Sequence, residues 1–290
     1  MKGIILAAGK GTRLYPVSHP ISKILLPVYN KPMIYYPLST LMLAGIKDIM
    51  IITNREDLKN FEKTLGNGSR FGIRISYEIQ KVQRGISDAF IIAEEFINGE
   101  NVVLILGDNI YHGDGMKELL DKAAANKNGA TVFLYSVPDP ERFGVAEVDS
   151  NGNVLSLEEK PKAPKSKYAV TGLYFCDGDA SKIAKALKPS GRGELEITDL
   201  NKVYLKKGLL KSCIMGDGYT WMDAGTFDSL CDAQNVIRDI EDGGRMVACI
   251  EETAMKMGFI DPAAVKKNIE GEKSEYYEYV RERADELSGP

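Results

Sequence analysis

Two aspartates, a few cations and a glycine-rich loop carry the chemistry this chain can do. Gly9-Lys10-Gly11-Thr12-Arg13 follows an apolar run directly, and Lys23 stands a short way on. Such a loop exposes backbone N–H groups and gathers positive charge, which suits a triphosphate; a tight turn with solvated charges reads the same way. Gly107-Asp108-Asn109 ends the most apolar run in the chain. Magnesium takes one or two carboxylates plus substrate phosphates, so Asp108 is a candidate ligand, and a turn-capping Asp is the alternative. Asp223, in Trp221-Met222-Asp223-Ala224-Gly225-Thr226, offers a second carboxylate or an N-cap. Two carboxylates can hold one metal from opposite sides. In Glu158-Glu159-Lys160-Pro161, proline biases Lys160 toward an extended, restrained backbone, which suits phosphate binding. The same run is equally a solvated face. Arg192-Gly193-Glu194-Leu195-Glu196 precedes a helical pattern, where Glu194 can accept from a sugar hydroxyl or simply favour the helix start. His19 and His112 form no pair, so nothing points to histidine-driven catalysis.

Two familiar phosphate loops do not fit. A P-loop needs Gly, four residues, then Gly-Lys-Ser/Thr. Here five residues separate Gly3 from Gly9-Lys10, and Gly11 follows the lysine. A dinucleotide fingerprint needs glycine or alanine where Leu14 stands, which also disfavours a dehydrogenase.

The elements that must position these residues alternate. Strands are expected at Ile4–Ala8, Asp48–Thr53, Ile73–Ile79, Val102–Leu106 and Ala130–Ser136. Helices are expected at Ile34–Ala44, Asp57–Leu65, Ile86–Glu95 and Lys117–Asn126. This alternation predicts an α/β fold with a Rossmann-like, doubly wound, mainly parallel mixed sheet. Ligands in such sheets bind outside the carboxyl ends of the strands, where both glycine loops fall. After Pro138 the pattern becomes β-rich: a hairpin of Val145–Val148 and Val154–Leu157, a strand at Val170–Cys176 and a late strand at Met246–Cys249. Helices are expected there at Ser181–Leu187 and Leu200–Lys206. The reading divides the chain into an α/β domain over 1–250 and a helical appendage over 251–290. A nucleotide half would span about 1–137 and a sugar-binding half about 138–250. The appendage would dock on its own domain or on a partner subunit.

With 290 residues and a net charge of −4, the chain suits one large domain and argues against coating nucleic acid. No apolar run approaches the ~20 residues of a membrane span. Four widely spaced cysteines without Cys-x-x-Cys fit free thiols in a cytoplasmic protein.

The gapped pattern Leu6-Ala7-Ala8-Gly9-Lys10-Gly11-Thr12-Arg13-Leu14, Ser22-Lys23, Leu25-Leu26-Pro27-Val28 and Lys31-Pro32-Met33 resembles the opening of the sugar-1-phosphate nucleotidyltransferases. The resemblance is closest to the glucose-1-phosphate thymidylyltransferases. It continues through the blocks at 106–109, 139–146, 157–161, 168–174, 192–199 and 221–226. It implies synthesis of dTDP-glucose and pyrophosphate from dTTP and glucose 1-phosphate, with Mg2+, as the first step toward dTDP-deoxysugars such as dTDP-rhamnose. It also implies a cytoplasmic homotetramer. By the same resemblance Arg13 contacts the triphosphate and Lys23 sits at the phosphates. Leu6, Ala8, Gly9, Gly11 and Thr12 complete the nucleotide loop, and Gln80 with the backbone at Gly85 reads the thymine edge. Asp108 and Asp223 hold magnesium. Asn109, Gly144, Glu159, Val170 and Glu194 line the sugar-phosphate side, where Lys160 binds the phosphate. Ala8 stands where many relatives have glycine, and Phe143 where many have tyrosine. A second nucleotide site in long members involves the C-terminal helices, where Glu252 and Lys256 fall; some relatives have arginine at the latter position. The rivals are the same chemistry with UTP or CTP, and a catalytically dead nucleotide-sugar sensor. The presence of Arg13, Lys23 and both aspartates disfavours the sensor.

Overall fold

The computed structural model describes residues 1–288. Strand β1 (Lys2–Leu6) leads into the glycine-rich loop, and a small hairpin of β2 (Pro27–Val28) and β3 (Lys31–Pro32) follows. Then come α1 (Tyr35–Leu43), β4 (Asp48–Thr53), α2 (Leu58–Leu65), β5 (Arg74–Ile79), α3 (Asp88–Ile92), α4 (Glu94–Ile97) and β6 (Val102–Leu106). The next stretch holds β7 (Asn109–Gly113), α5 (Met116–Ala124), β8 (Ala130–Ser136), β9 (Gly144–Val148), β10 (Val154–Glu159) and β11 (Tyr168–Cys176). It continues with α6 (Ala180–Ala186), α7 (Ile197–Lys206), β12 (Leu210–Met215), β13 (Tyr219–Asp223) and α8 (Phe227–Glu241). The last helices are α9 (Ile250–Lys256), α10 (Pro262–Asn268) and α11 (Glu275–Leu287).

The central sheet has nine strands, ordered β10-β9-β11-β6-β1-β4-β5, with β8 joining β11 to β12. β1 pairs in parallel with β4 and β6, β4 with β5, and β8 with β12. Following the pairings outward, only β11 and β10 run against the rest, so the sheet is mixed and mostly parallel. β1 and β6 are apolar on successive residues because both their faces are covered. Ile5, Val103 and Ile105 join one core cluster; Ile4, Val102 and Leu104 join the other, on the opposite face. Each such side chain contributes about 1.5–3 kcal/mol when buried. The C-terminal helices share the first cluster through Ile250, Ala254, Val280 and Ala284, and Ser39 on α1 meets Thr253 on α9 at 3.0 Å.

Several elements differ from the sequence expectation. No strand forms at Met246–Cys249: Ala248 takes φ 53° and Cys249 caps α9, so the backbone cannot stay extended. The helix expected over Ile86–Glu95 begins only at Asp88 and breaks at Ala93. Its first residues are tied elsewhere, Ser87 N–H to Leu195 O at 3.2 Å and Ser87 Oγ to Glu196 O at 3.1 Å. The strands β7, β12 and β13 and the long helix α8 were not anticipated. Thr226 starts α8 with a capping box, accepting from Ser229 N–H at 3.2 Å while Ser229 Oγ accepts from Thr226 N–H at 3.0 Å.

Candidate active site

Three devices bring the chemistry-bearing residues together. The first is the end of β1. Gly107 N–H donates to Leu6 O at 3.0 Å, so the glycine-rich loop and the Gly107-Asp108 turn leave adjacent strands side by side. Gly11 sits at φ +63°, where a side chain is strained, and Ser18 Oγ closes the loop on Gly11 O at 2.7 Å. The second is the ribbon of β7 and β13, whose register sets Asp223 opposite Asn109. Ala224 N–H donates to Asp108 O at 3.0 Å and locks that end. The third is the β9–β11 pairing, which sets Val170 opposite Gly144 beside the end of β10.

The charges interlock. Lys23 Nζ bonds Asp108 Oδ2 directly, and Asn109 Nδ2 donates to Asp108 Oδ1 at 3.1 Å. Burial pushes Asp108 up, but the Lys23 charge and these hydrogen bonds outweigh it and hold the carboxyl below its ordinary value. Asp223 is pushed up to about 6, first by burial and then by the Asp108 charge, against the pull of Lys23, Arg13 and Arg142. Arg13 reaches the same spot: a β-carbon at Gly225 would lie 2.8 Å from Arg13 Nη2 and 3.3 Å from Asp223 Oδ1.

A cavity of about 250 Å³ opens beside the carboxylates. Arg13, Asp108, Asn109, Gly144, Glu159, Lys160, Val170, Glu194 and Asp223 all line it, so the structure gathers most of the anticipated site residues. Glu159 accepts from Thr198 Oγ1 at 2.5 Å and from Arg192 Nη2 at 3.0 Å. A β-carbon at Gly144 would lie 3.0 Å from Thr198 Oγ1, so the glycine keeps that wall open. Asn109 is buried and its Oδ1 is committed to Trp221 Nε1 at 2.7 Å and Gly172 N–H at 3.0 Å. Its oxygen therefore builds the wall rather than facing a ligand.

The remaining candidates fall elsewhere. Gln80 lines a second, open cleft of about 960 Å³ with Lys10 and Gln83. Gly85, at φ +98°, presses against Leu195, and Leu195 N–H donates to Arg84 O at 2.6 Å. Gly9 and Thr12 are exposed on the loop. Leu6 is half-buried; Ala8 is fully buried and presents only its carbonyl, which takes Gln83 Nε2 at 2.6 Å. Lys160 corrects the expectation of an extended backbone. It lies at φ 43°, with its N–H on Phe143 O at 3.0 Å past the end of the β9–β10 ladder. The restraint is present, but a local tertiary bond overrides the pre-proline preference. Arg142 and Arg192 also line the cavity, though the sequence reading made neither a candidate; both stand in charged blocks of the chain. Glu252 accepts from Tyr279 OH at 2.6 Å, Lys256 at 2.7 Å and Arg283 Nε at 2.9 Å, so Lys256 and Arg283 both meet it.

Among the described residues no cluster of three or more His, Cys, Asp or Glu side chains could hold a metal alone. A pair of carboxylates, one of them raised by burial and then by the other's charge, fits a cation whose remaining ligands come from substrate phosphates. Among the same residues no helix is long and apolar enough to cross a membrane.

A mostly parallel α/β sheet with a basic glycine loop and paired aspartates at one edge defines a nucleotidyltransferase. The chain matches the nucleotidyl transferase family over residues 2–240. It is 54% identical over 286 residues to the glucose-1-phosphate thymidylyltransferase of Neisseria gonorrhoeae, covering 97% of this chain and 98% of that one. It is 48% identical over 284 residues to that of Mycobacterium tuberculosis, with the same coverage. A Bacillus anthracis structure described as a glucose-1-phosphate thymidylyltransferase, solved with sucrose, superposes with a TM-score of 0.77 at 47% identity. It covers 82% of this chain and 96% of that one. A UDP-glucose pyrophosphorylase solved with UDP-glucose gives 0.72 at 25%, over 82% and 98%. The chain belongs to the nucleotidyl transferase family and, within it, to the glucose-1-phosphate thymidylyltransferases.

Proposed function

We propose that this enzyme forms dTDP-glucose and pyrophosphate from dTTP and glucose 1-phosphate. A phosphate oxygen of the sugar phosphate bonds to the α-phosphorus of dTTP. The bond from that phosphorus to the bridging oxygen breaks, and pyrophosphate leaves in line with the electron pair. The sugar phosphate is already anionic, so no general base is needed, and catalysis reduces to positioning and charge stabilisation. The observation that carries this reading is the meeting of Asp108, Asp223 and Arg13 at the rim of one cavity, with Lys23 bonded to Asp108.

Asp108 and Asp223 would hold Mg2+, which when bound supplies a Lewis acid for the phosphates. Arg13 neutralises charge that grows on the leaving pyrophosphate, and Lys23 and Lys160 counter repulsion between the two anionic substrates. Gly144, Glu159, Val170 and Glu194 form the sugar wall, while Gln80 and Gly85 serve the base. The same reading makes the enzyme a cytoplasmic homotetramer that supplies dTDP-deoxysugar synthesis, for example of dTDP-rhamnose.

The test is one panel: purified protein, magnesium, glucose 1-phosphate and each of dTTP, UTP, CTP and dCTP, scored for pyrophosphate. The expected order is dTTP first, with UTP, which lacks the methyl and adds a 2′-hydroxyl, next, because a hydrophobic recess discriminates one methyl by only about 1–3 kcal/mol. Absence of pyrophosphate with every nucleotide would favour a binding role instead.

A further inference from the structure

Gln80 follows β5 and is 7% exposed; its side chain lines the open cleft beside Lys10. Its Nε2 donates to Asp88 Oδ2 at 3.0 Å. Asp88 opens α3 and is 1% exposed. Its other oxygen, Oδ1, accepts from Arg84 Nη2 at 2.7 Å. An ionised carboxylate accepts and never donates. The amide of Gln80 therefore has one orientation, with nitrogen toward Asp88 and oxygen turned away. A glutamine is ordinarily free to present either end. Here Oε1 takes no hydrogen bond from any of the described residues and remains an acceptor for whatever enters the cleft.

The segment between these two residues is tied down along its length. Gln83 Nε2 ties it to Ala8 O on the phosphate loop at 2.6 Å. Arg84 O and Ser87 N–H bond the backbone of Leu195 at 2.6 and 3.2 Å. Loosening the Gln80 amide thus requires only rotation of that amide and no movement of the loop.

We infer that Asp88 is a positioning residue for pyrimidine selectivity: by holding Gln80 Nε2 it leaves Oε1 to accept from a base that carries N3–H. Thymine and uracil offer that donor. Cytosine presents a lone pair at N3, which would face the lone pairs of Oε1. A rotated Gln80 would reverse the preference, and Asp88 forbids the rotation. The inference rests on the reading of Gln80 as the base contact.

The experiment compares kcat/KM for dTTP and dCTP, with glucose 1-phosphate, in wild type, Asp88→Asn, Gln80→Ala and the double variant. Asn is isosteric but offers either end, so Asp88→Asn should lower the dTTP:dCTP ratio at least about tenfold, because unpaired polar groups at a base edge dominate discrimination. The change should lie in KM for dTTP while kcat holds. In the Gln80→Ala background, Asp88→Asn should leave the ratio unmoved. A ratio within about twofold of wild type, or an equal change in the Gln80→Ala background, would overturn the inference on the same discrimination scale. Should Asp88→Asn not fold, N3-methyl-dTTP tests the wild-type enzyme: it is expected to be at least about tenfold poorer than dTTP, and equal turnover overturns the inference. Wild type that makes no pyrophosphate from dTTP would instead overturn the activity itself, and this inference with it.

Discussion

Asp223 stands opposite Asn109 in the ladder of β7 and β13, and that register is what sets its carboxyl beside Asp108. The two aspartates come from distant parts of the chain. Neither the glycine loop nor the β6 turn places them together; the ribbon does. One consequence is electrical: Lys23 holds Asp108 ionised, and that charge helps to push Asp223 up to about 6.

Removing either charge partner should abolish most turnover. Asp108→Asn or Arg13→Ala is expected to cost at least about 10²-fold in kcat, the scale of lost transition-state charge stabilisation. A pyrophosphate-release assay reads it, and near-wild-type turnover in either variant contradicts the assigned roles.

The raised Asp223 acid sets a pH dependence with a definite sign. Its ordinary value of 3.8 applies to the unfolded chain, against about 6 in the fold. Between them the folded state binds the extra proton, so this group's contribution to stability falls as pH rises through that window. A divalent cation competes with that proton. Its affinity should therefore rise from pH 5 and level off above about 7. Calorimetric titration of the nucleotide-bound enzyme with Mn2+ or Mg2+ checks this, with Asp223→Asn as the control for the nucleotide's own titration. Lys23→Met should move the midpoint upward, because Lys23 opposes the shift. An affinity that stays flat across the range would remove Asp223 from the ligand set.

Gly225→Ala should damage turnover more than folding. The added β-carbon would sit 2.8 Å from Arg13 Nη2. The guanidinium can swing aside, so the melting temperature should barely change. Misplacing a group by about 1 Å can cost up to about 10²-fold in rate, and at least about tenfold is expected here.

A buried ion pair anchors α8 to the hairpin of β2 and β3. Lys31 and Glu241 side chains are 1% and 6% exposed, with Nζ to Oε1 at 2.6 Å. Glu241 also accepts from Asn30 Nδ2 at 2.6 Å and Val247 N–H at 2.9 Å. Burial lowers the Lys31 ammonium from its usual range, so its charge depends on this partner. Glu241→Ala should destabilise by about 3–5 kcal/mol, the usual cost of orphaning a buried charge. Denaturant unfolding measures it, and adding Lys31→Met should recover part of the loss.

Gly72→Ala should loosen the docking of the C-terminal helices. Gly72 is at φ +68°, and a β-carbon there would fall 2.1 Å from Phe259 O. Backbone must move, so a loss of at least about 2 kcal/mol is expected. Limited proteolysis should then release the segment from residue 260 onward first.

Contiguous chemistry was legible in the chain. The glycine loop with Arg13, the Gly107-Asp108 turn and the charged blocks at 158–161 and 192–199 name their residues by type and spacing. Strands Val102–Leu106 and Ala130–Ser136 were read to the residue, the first because a strand buried on both faces must be continuously apolar, the second from its apolar Val132–Leu134 centre. Helix α8 escaped notice because its Asp, Asn and Ser content carries little helical propensity; packing and the Thr226–Ser229 box sustain it. The strands β7 and β13 are short and half polar, so their periodicity is weak, and no local signal records which distant strand they meet. The sequence alone marked which groups could act: a basic loop, two aspartates and Lys160, with Gln80 added by the family resemblance. Only the tertiary structure decided that the aspartates meet, that Lys23 sits on Asp108, that Lys160 turns left-handed and that Asp88 aims Gln80. Those are relations between side chains far apart in sequence, settled by ladder register and by which polar groups must pair once they are buried.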